Sequence, residues 1–147
     1  MIKTVPDIIH PFRVYAAPAK IFDAVSTPAG LDAWWTKTSS GAPAPGAQYH
    51  LNFGPGYDWR AVVSRSNPPA EFEFEITSAD DDWKGTRVGF VIRPAEKFSE
   101  VEFHHTGWPR ENNHYRVSNY CWAMYLRLLK RHVEHGEFVP YEKRLDA

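Results

Sequence analysis

The chain has 147 residues, of which 43% are hydrophobic and 24% charged, and its formal net charge is −1. This length is enough for one domain with a substantial core, and the near-neutral charge lacks the basic excess typical of nucleic-acid binding. Cys121 is the single cysteine, so no internal disulfide can form. No apolar stretch approaches the ~20 residues of a membrane helix, and residues 1–15 lack the apolar core of a signal peptide. We therefore expect one cytoplasmic domain over residues 1–147, with neither a nucleic-acid partner nor membrane insertion.

The first part of the chain predicts one strand, two short helices and a loop. Alternation places Phe12, Val14 and Ala16 on the buried face of the strand. Thr27 precedes Pro28, an order typical of an N-cap and a first helical position. The predicted elements are a strand at 10–16, helices at 19–26 and 27–35, and a small-residue loop at 38–46.

Five further strands follow, separated by turns. The clearest alternation sets Phe72, Phe74 and Ile76 against Glu71, Glu73 and Glu75, a pattern typical of an antiparallel sheet with one solvated face. We expect the three glutamates to face solvent. The predicted strands span residues 47–53, 57–66, 70–78, 86–94 and 100–108.

A long helix over residues 115–136 ends the pattern, with Gly136 as its C-cap. Its broad apolar face needs a large surface of the same domain to pack against, and the inner face of the sheet is the candidate. The sequence thus predicts an α+β fold in which a curved antiparallel sheet of about six strands wraps around the C-terminal helix. The predicted buried side comprises Ser118, Cys121, Trp122, Tyr125, Leu129 and Val133, and the predicted solvent side Asn119, Arg127, Lys130 and Glu134.

Aromatic residues make up 15% of the chain and include six tryptophans. In a small domain, so many large rings indicate either an aromatic core or an aromatic-lined cavity. Both alternatives stay open from composition alone.

Several segments together resemble the START-like (SRPBCC) superfamily, and within it the branch named for the activator of heat-shock protein ninety ATPase. The resemblance implies a helix-grip fold with a deep hydrophobic cavity between the sheet and the long helix. It implies apolar or aromatic small-molecule ligands, and it makes a chaperone partner a further hypothesis. The segments are residues 17–36, 42–53, 61–69, 105–109 and 120–136.

The residues predicted to line this cavity are those that alternation or helical phase directs inward, together with neighbours at the ends of elements. No residue pattern predicts a cofactor or a metal. The predicted lining is Trp34, Trp35, Tyr49, Phe53, Trp59, Phe74, Phe90, Phe103, His105, Trp108, Ser118, Trp122 and Tyr125.

Two adjacent histidines lie in the last strand. Val101 and Phe103 belong to the inner face, so His105 shares that face and His104 is expected to be solvated. Three roles are open for His105: a core histidine bonded to a hydroxyl or carbonyl, a polar anchor for a ligand, or an acid/base catalyst. Ser118 and Tyr125 are hydroxyls that it could reach.

Other reactive groups are given structural interpretations. Cys121 is interpreted as an inert thiol on the apolar helix face, and the acidic turn at 79–83 as a solvated loop with at most nonspecific cation binding. His132 and His135 lack a third metal ligand. The polar segment 109–115 is a candidate gate.

Three functions compete. A carrier or sensor of a small hydrophobic molecule is favoured over an enzyme of the cyclase, dehydratase or hydrolase type using His105. The third is a co-chaperone or other protein-interaction module. A homodimer is also considered, with an exposed tryptophan in 107–109 or 80–83 at the interface. We expect an open cavity to favour the carrier and a filled one to favour protein interaction. A shifted His105 pKa beside a carboxylate would favour the enzyme.

Overall fold

The computed structural model describes residues 4–147. Strands predominate between two short N-terminal helices and one long C-terminal helix. The elements are β1 (Ile8–Val14), α1 (Pro18–Ser26), α2 (Pro28–Trp34), β2 (Thr38–Ser40), β3 (Gln48–Asn52), β4 (Asp58–Asn67), β5 (Glu71–Ser78), β6 (Arg87–Pro94), β7 (Ser99–Thr106), α3 (Asn113–His135) and a 3₁₀-helix (Tyr141–Asp146).

All seven strands form one antiparallel sheet in the order β1-β7-β6-β5-β4-β3-β2. The predicted helix-grip architecture is confirmed, but the sheet has seven strands rather than about six. The missed strand is β2, whose three residues pair with β3 inside the stretch predicted as a loop at 38–46. Small polar residues and a following glycine concealed it, since such composition is typical of loops.

The long helix α3 lies against the concave face of the sheet. Asn112 caps it by accepting a hydrogen bond from the Tyr115 N–H, and it ends at Gly136, which adopts φ 70°. The C-cap prediction is confirmed, while Cys121 and Tyr125 are only half-buried. The buried side comprises Tyr115, Ser118, Trp122, Leu126, Leu128, Leu129 and Val133.

The predicted solvent side of α3 is wrong for Lys130 and Glu134. The Lys130 ammonium donates to the Arg13 carbonyl over 2.6 Å, and the Glu134 carboxylate accepts from the Tyr15 N–H over 2.8 Å. Long side chains at the border of a helix reach neighbouring backbone in this way. Both residues therefore bind α3 to the backbone at the end of the edge strand β1.

The two short helices pack closely at one end of the sheet. Thr27 accepts from the Gly30 N–H and so caps α2, as predicted. A Cβ at Gly30 would lie 2.6 Å from the Asp23 carbonyl oxygen of α1, so this helix contact requires glycine. Among the described residues, no helix has the length and apolar character needed to cross a membrane.

Candidate functional site

All six tryptophans join in one aromatic network between the sheet and α3, called the ring network below. Neighbouring centroids are separated by distances typical of edge-to-face and offset-stacked pairs. The links are Trp34–Trp35 (6.0 Å), Trp35–Trp122 (5.2 Å), Trp122–Trp83 (5.7 Å), Trp83–Trp59 (5.1 Å) and Trp83–Trp108 (6.2 Å).

Most of the predicted cavity residues belong to this network. Ser118 joins it through a hydrogen bond, whereas Tyr49 and Phe74 pack in a second group with Phe22 and Phe72. The Tyr49 hydroxyl donates to the Ser26 carbonyl, and burial raises the pKa of Tyr49 to about 12. The predicted residues that contact the tryptophans are Phe53, Phe90, Phe103, His105 and Tyr125.

The sequence did not predict Trp83 as part of the site. It was assigned to a solvated acidic turn, yet it is 8% exposed and donates to Ser118 Oγ over 3.2 Å. The Asp80 carboxylate accepts from the N–H groups of Asp82 and Trp83, forming a tight turn that directs the indole inward. Trp108 is 5% exposed, so the expected exposed-tryptophan interface is wrong at both positions.

The rings lie in contact with one another. Centroid separations within the network run from 4.4 Å, between Phe103 and Trp122, to 6.5 Å, between Trp122 and Tyr125. In this structure the side chains therefore fill the space between sheet and helix. A ligand enters only if some of these rings move apart.

His105 is fully buried and neutral. The Trp122 indole N–H donates to its Nδ1 over 3.1 Å, which leaves the ring proton on Nε2 to donate to Thr86 Oγ1 over 2.8 Å. Burial, with smaller contributions from the charges of His104 and His114, lowers the pKa of His105 to about 3. Its partners are thus Thr86 and Trp122 rather than Ser118 or Tyr125, and neither is a carboxylate.

Trp34 and Trp35 share one buried environment. Helical phase predicts different environments for adjacent residues, but α2 ends at Trp34, and Trp35 has the non-helical dihedrals φ −124° and ψ −71°. The two rings stack, and the Trp34 indole also donates to the Ala24 carbonyl over 2.9 Å. Trp35 reaches Phe53 and Trp122 and so links α2 to the ring network.

The outer face of the sheet carries a second histidine site, which corrects the prediction for His104 and Glu73. Glu73 is 7% exposed and lies 2.8 Å from His104 Nε2, while the Ser64 hydroxyl donates to its other oxygen over 2.7 Å. Burial raises the pKa of Glu73, but hydrogen bonds from His104 and Ser64 and the charges of His104 and Arg65 outweigh it, leaving this pKa below its usual value.

The predicted gate at 109–115 is tied to the acidic turn. Asp82 accepts hydrogen bonds from Arg110, Asn112 and His114. The His114 bond, opposed by burial and aided by Asn112 and Arg110, lowers the pKa of Asp82. Ligand atoms of Asp80, Asp82 and His114 lie within 4.8 Å of one another, and the Arg110 guanidinium forms a salt bridge with Asp82 of this cluster.

The flank between α3 and the α2–β3 edge is covered by residues 137–147, called the C-terminal segment. The Tyr141 hydroxyl donates to the Phe53 carbonyl over 2.7 Å. Arg144 is 1% exposed and donates to the carbonyls of Val139, Thr36 and Asp32. The segment thus covers the side of the ring network that contains Trp35 and Phe53.

Two polar atoms of the network have no internal partner. The Trp108 indole nitrogen is the one buried side-chain polar atom of residues 4–147 without a hydrogen bond. The hydroxyl of the half-buried Tyr125 makes no bond to another described residue but is reached by solvent, and burial of the side chain raises the pKa of Tyr125 to about 12. Unsatisfied polar atoms in an apolar region are where a ligand or water finds hydrogen bonds.

Comparison with known protein families supplies one match. The model for Activator of Hsp90 ATPase homolog 1-like proteins matches residues 15–134, which is more than half of the chain. No curated protein sequence matches the chain at a significant level.

Solved structures resemble the fold over most of its length. The Aha1 dimer from Colwellia psychrerythraea is 28% identical, with a TM-score of 0.81 over 90% of this chain and 99% of that chain. DynU16, a putative protein in the dynemicin biosynthetic locus, is 18% identical, with a TM-score of 0.79 over 91% of this chain and 50% of that one. CalU16 from Micromonospora echinospora is 17% identical, with a TM-score of 0.73 over 97% and 88%. The last two establish likeness of fold alone.

Proposed function

The chain belongs to the family of Activator of Hsp90 ATPase homolog 1-like proteins, in the START-like (SRPBCC) superfamily, and from this premise we propose that it binds a small apolar or aromatic molecule. The site is the ring network between the sheet and α3, and the role is that of a carrier or sensor. Rings that fill this space in the described structure separate to admit the ligand.

The observation that carries the proposal is the concentration of aromatic surface in one place. A folded core of this size can be built from aliphatic residues, yet here six indoles meet with few polar atoms among them. Aromatic walls with sparse polar groups are typical of small-molecule sites. His105 contributes orientation rather than proton transfer, since its neutral form is held by Trp122 and Thr86.

Native mass spectrometry of the protein purified from its own host tests the proposal. We expect a reproducible mass increment from a retained apolar molecule, which organic extraction then identifies. The matched control is Trp122→Ala, purified in parallel after its fold has been confirmed by circular dichroism, in which retention should fall. An empty protein that also fails to bind added apolar ligands would rule out the carrier role.

A second candidate is self-association. Val117 and Tyr120 lie one turn apart on the outer side of α3, and Tyr120 is 79% exposed. The filled inner space favours protein interaction, and the 28% identical Colwellia protein was solved as a dimer. Sedimentation of the wild type against Tyr120→Ser tests this, with a monomer at all concentrations as the contradicting result. Co-sedimentation with purified Hsp90 tests the chaperone role that the family name suggests.

A further inference from the structure

Arg144 is a buried cation beside the ring network; the carboxylates of Asp32 and Glu142 are near enough to favour its charge, but neither forms a salt bridge with it. The three acceptors of Arg144 are the main-chain carbonyls of Val139 (3.0 Å), Thr36 (3.1 Å) and Asp32 (2.7 Å). No carboxylate among the described residues makes a salt bridge with it. A guanidinium has five N–H bonds, so two remain without an acceptor in residues 4–147.

Burial of a charged guanidinium without a salt bridge is energetically unusual. Removing a charged group from water is strongly unfavourable unless an opposite charge or a full set of hydrogen bonds replaces the water. Main-chain carbonyls and the faces of the Phe138 and Tyr141 rings, 5.7 Å and 5.4 Å from the Arg144 Cζ, supply part of that replacement. The planar guanidinium is suited to two parallel bonds with a carboxylate, sulfonate or phosphate, which would complete it.

The surroundings of Arg144 connect it to the ring network. Its Cζ lies 5.4 Å from the Tyr141 ring, and the Tyr141 hydroxyl bonds to the carbonyl of Phe53, whose ring is 5.2 Å from Trp35. The unpartnered hydroxyl of Tyr125 lies on the same side, next to Trp122. The positive charge of Arg144 lowers the pKa of Tyr125, against the larger effect of burial.

We propose that Arg144 and Tyr125 form the polar end of the ligand site, and that the ligand is an apolar or aromatic molecule carrying one acidic group. This inference rests on the proposed function, because it assigns the ligand class for the same site. The apolar body packs among the rings near Trp35 and Phe53. The acidic group accepts hydrogen bonds from the free N–H groups of Arg144 and from the Tyr125 hydroxyl.

The C-terminal segment is built so that it can yield to such a ligand. Its large apolar side chains, Phe138 and Leu145, are 62% and 71% exposed, while its buried anchors are polar. Lifting the segment therefore breaks these hydrogen bonds and the packing of Val139 against the core. An anion that bonds to the free N–H groups of Arg144 offsets part of that loss, so ligand entry and movement of the segment are compatible.

Two fluorescent probes that differ by one anionic group provide the test. N-phenyl-1-naphthylamine is neutral, and 1-anilinonaphthalene-8-sulfonate has a closely similar ring system with an added sulfonate. Binding is followed by energy transfer from tryptophan, which distinguishes protein-bound probe from free probe. We expect the wild type to bind the sulfonate probe at least ~10-fold more tightly than the neutral probe, the range of a charge-assisted hydrogen-bonded pair.

The variants separate charge recognition from structural support. Arg144→Gln should remove the preference for the sulfonate probe while the neutral probe still binds, and Arg144→Lys should keep part of the preference. Tyr125→Phe should reduce the preference about threefold or more, as expected for the loss of one typical hydrogen bond. Arg65→Gln, a 61% exposed arginine on the outer face, is the matched control and should match the wild type.

The outcomes also distinguish this inference from the proposed function. If neither probe binds to any variant, the ring network is not a ligand site and both proposals fail. If both probes bind but the preference is absent, or survives in Arg144→Gln and Tyr125→Phe, ligand binding stands and the acidic-group assignment is overturned. If Arg144→Gln alters both affinities equally, Arg144 only fastens the segment. If Arg144→Gln does not fold, the probe preference of Tyr125→Phe, which keeps the ring, decides whether the site recognises the acidic group.

Discussion

Adjacent residues of β7 occupy opposite faces of the sheet and have contrasting environments. His105 on the inner face is fully buried and bonded to an indole and a hydroxyl. His104 on the outer face is part-buried and bonded to the carboxylate of Glu73. The inner environment disfavours a charged imidazole, and the outer one accommodates it. The comparison shows that two neighbouring histidines need not share chemistry, because side-chain direction determines the partner.

Removing a ring from the inner face should have the largest effect on stability. Trp122→Ala deletes contacts with Trp35, Trp83 and Phe103 and removes the donor to His105. We expect the free energy of unfolding to fall by ~3–5 kcal/mol, the usual cost of a buried aromatic truncation. Urea denaturation measures it. Tyr120→Ala, on the solvent side of the same helix, is the control and should change stability by less than ~0.5 kcal/mol.

Acidification should reveal the neutral state of His105. Its pKa is about 3 in the folded protein and near 6.5 in the unfolded chain. At a pH between these values, only the unfolded chain binds the extra proton. The stability that neutral His105 contributes is therefore complete above pH ~6.5 and is lost progressively as the pH falls towards ~3. At pH 5 we expect a loss of about 2 kcal/mol relative to neutral pH.

The pH dependence of His105→Gln isolates this contribution. Glutamine can donate and accept hydrogen bonds but does not titrate in this range. Urea denaturation at several pH values should show a shallower loss of stability for this variant than for the wild type between pH 6.5 and 5. Equal slopes would mean that His105 takes up its second proton as readily in the folded state as in the unfolded chain.

Gly89→Ala should disturb the outer face selectively. A Cβ at Gly89 would lie 2.6 Å from His104 Nε2 and 2.8 Å from the Phe72 carbonyl oxygen. We expect the imidazole to move away from Glu73, with a loss of ~1–2 kcal/mol from crowding. Thermal denaturation measures the loss, and NMR of the imidazole follows the ring. An unmoved His104 resonance would contradict the packing of this ring on the glycine.

Glu73→Gln should produce the smallest change. The amide keeps the size of the side chain and can still bond to Ser64, but it cannot form an ion pair with His104. We expect a loss of ~1 kcal/mol near neutral pH, where Glu73 is ionised, shrinking as acidification below pH ~4.5 protonates the wild-type carboxylate. A constant difference across this range would show that the charge of Glu73 has no role.

The periodicity of the sequence predicted most of the fold. Alternation in β5 and β7 and the helical phase of α3 identified the buried faces, because burial of one face imposes those periods. Strand β2 was not predicted, because its three residues, Thr38–Ser40, are few and polar. Glu73 escaped because a carboxylate on an alternating strand is normally solvated, and the partner that buries it, His104, is 31 residues away in the chain.

The site was predictable in part. Inward periodicity found Trp59, Phe103 and Trp122, whose strand and helix positions determine their direction. It missed Trp83, because a turn has no period and only the bonds to Asp80 direct that indole inward. Arg144 could not be found at all, since its importance depends on the distant carbonyls of Asp32 and Thr36 and on the path of the C-terminal segment.

Indole resonances offer the most direct test of the central claim that the inner face binds an apolar molecule. The six tryptophans give six N–H signals in a ¹H–¹⁵N spectrum, which can be followed during titration with N-phenyl-1-naphthylamine. The account predicts saturable shifts for Trp35, Trp83 and Trp122 together, at a one-to-one ratio. Unchanged indole signals with shifts confined to outer residues of α3 would contradict it and favour the protein-interaction role.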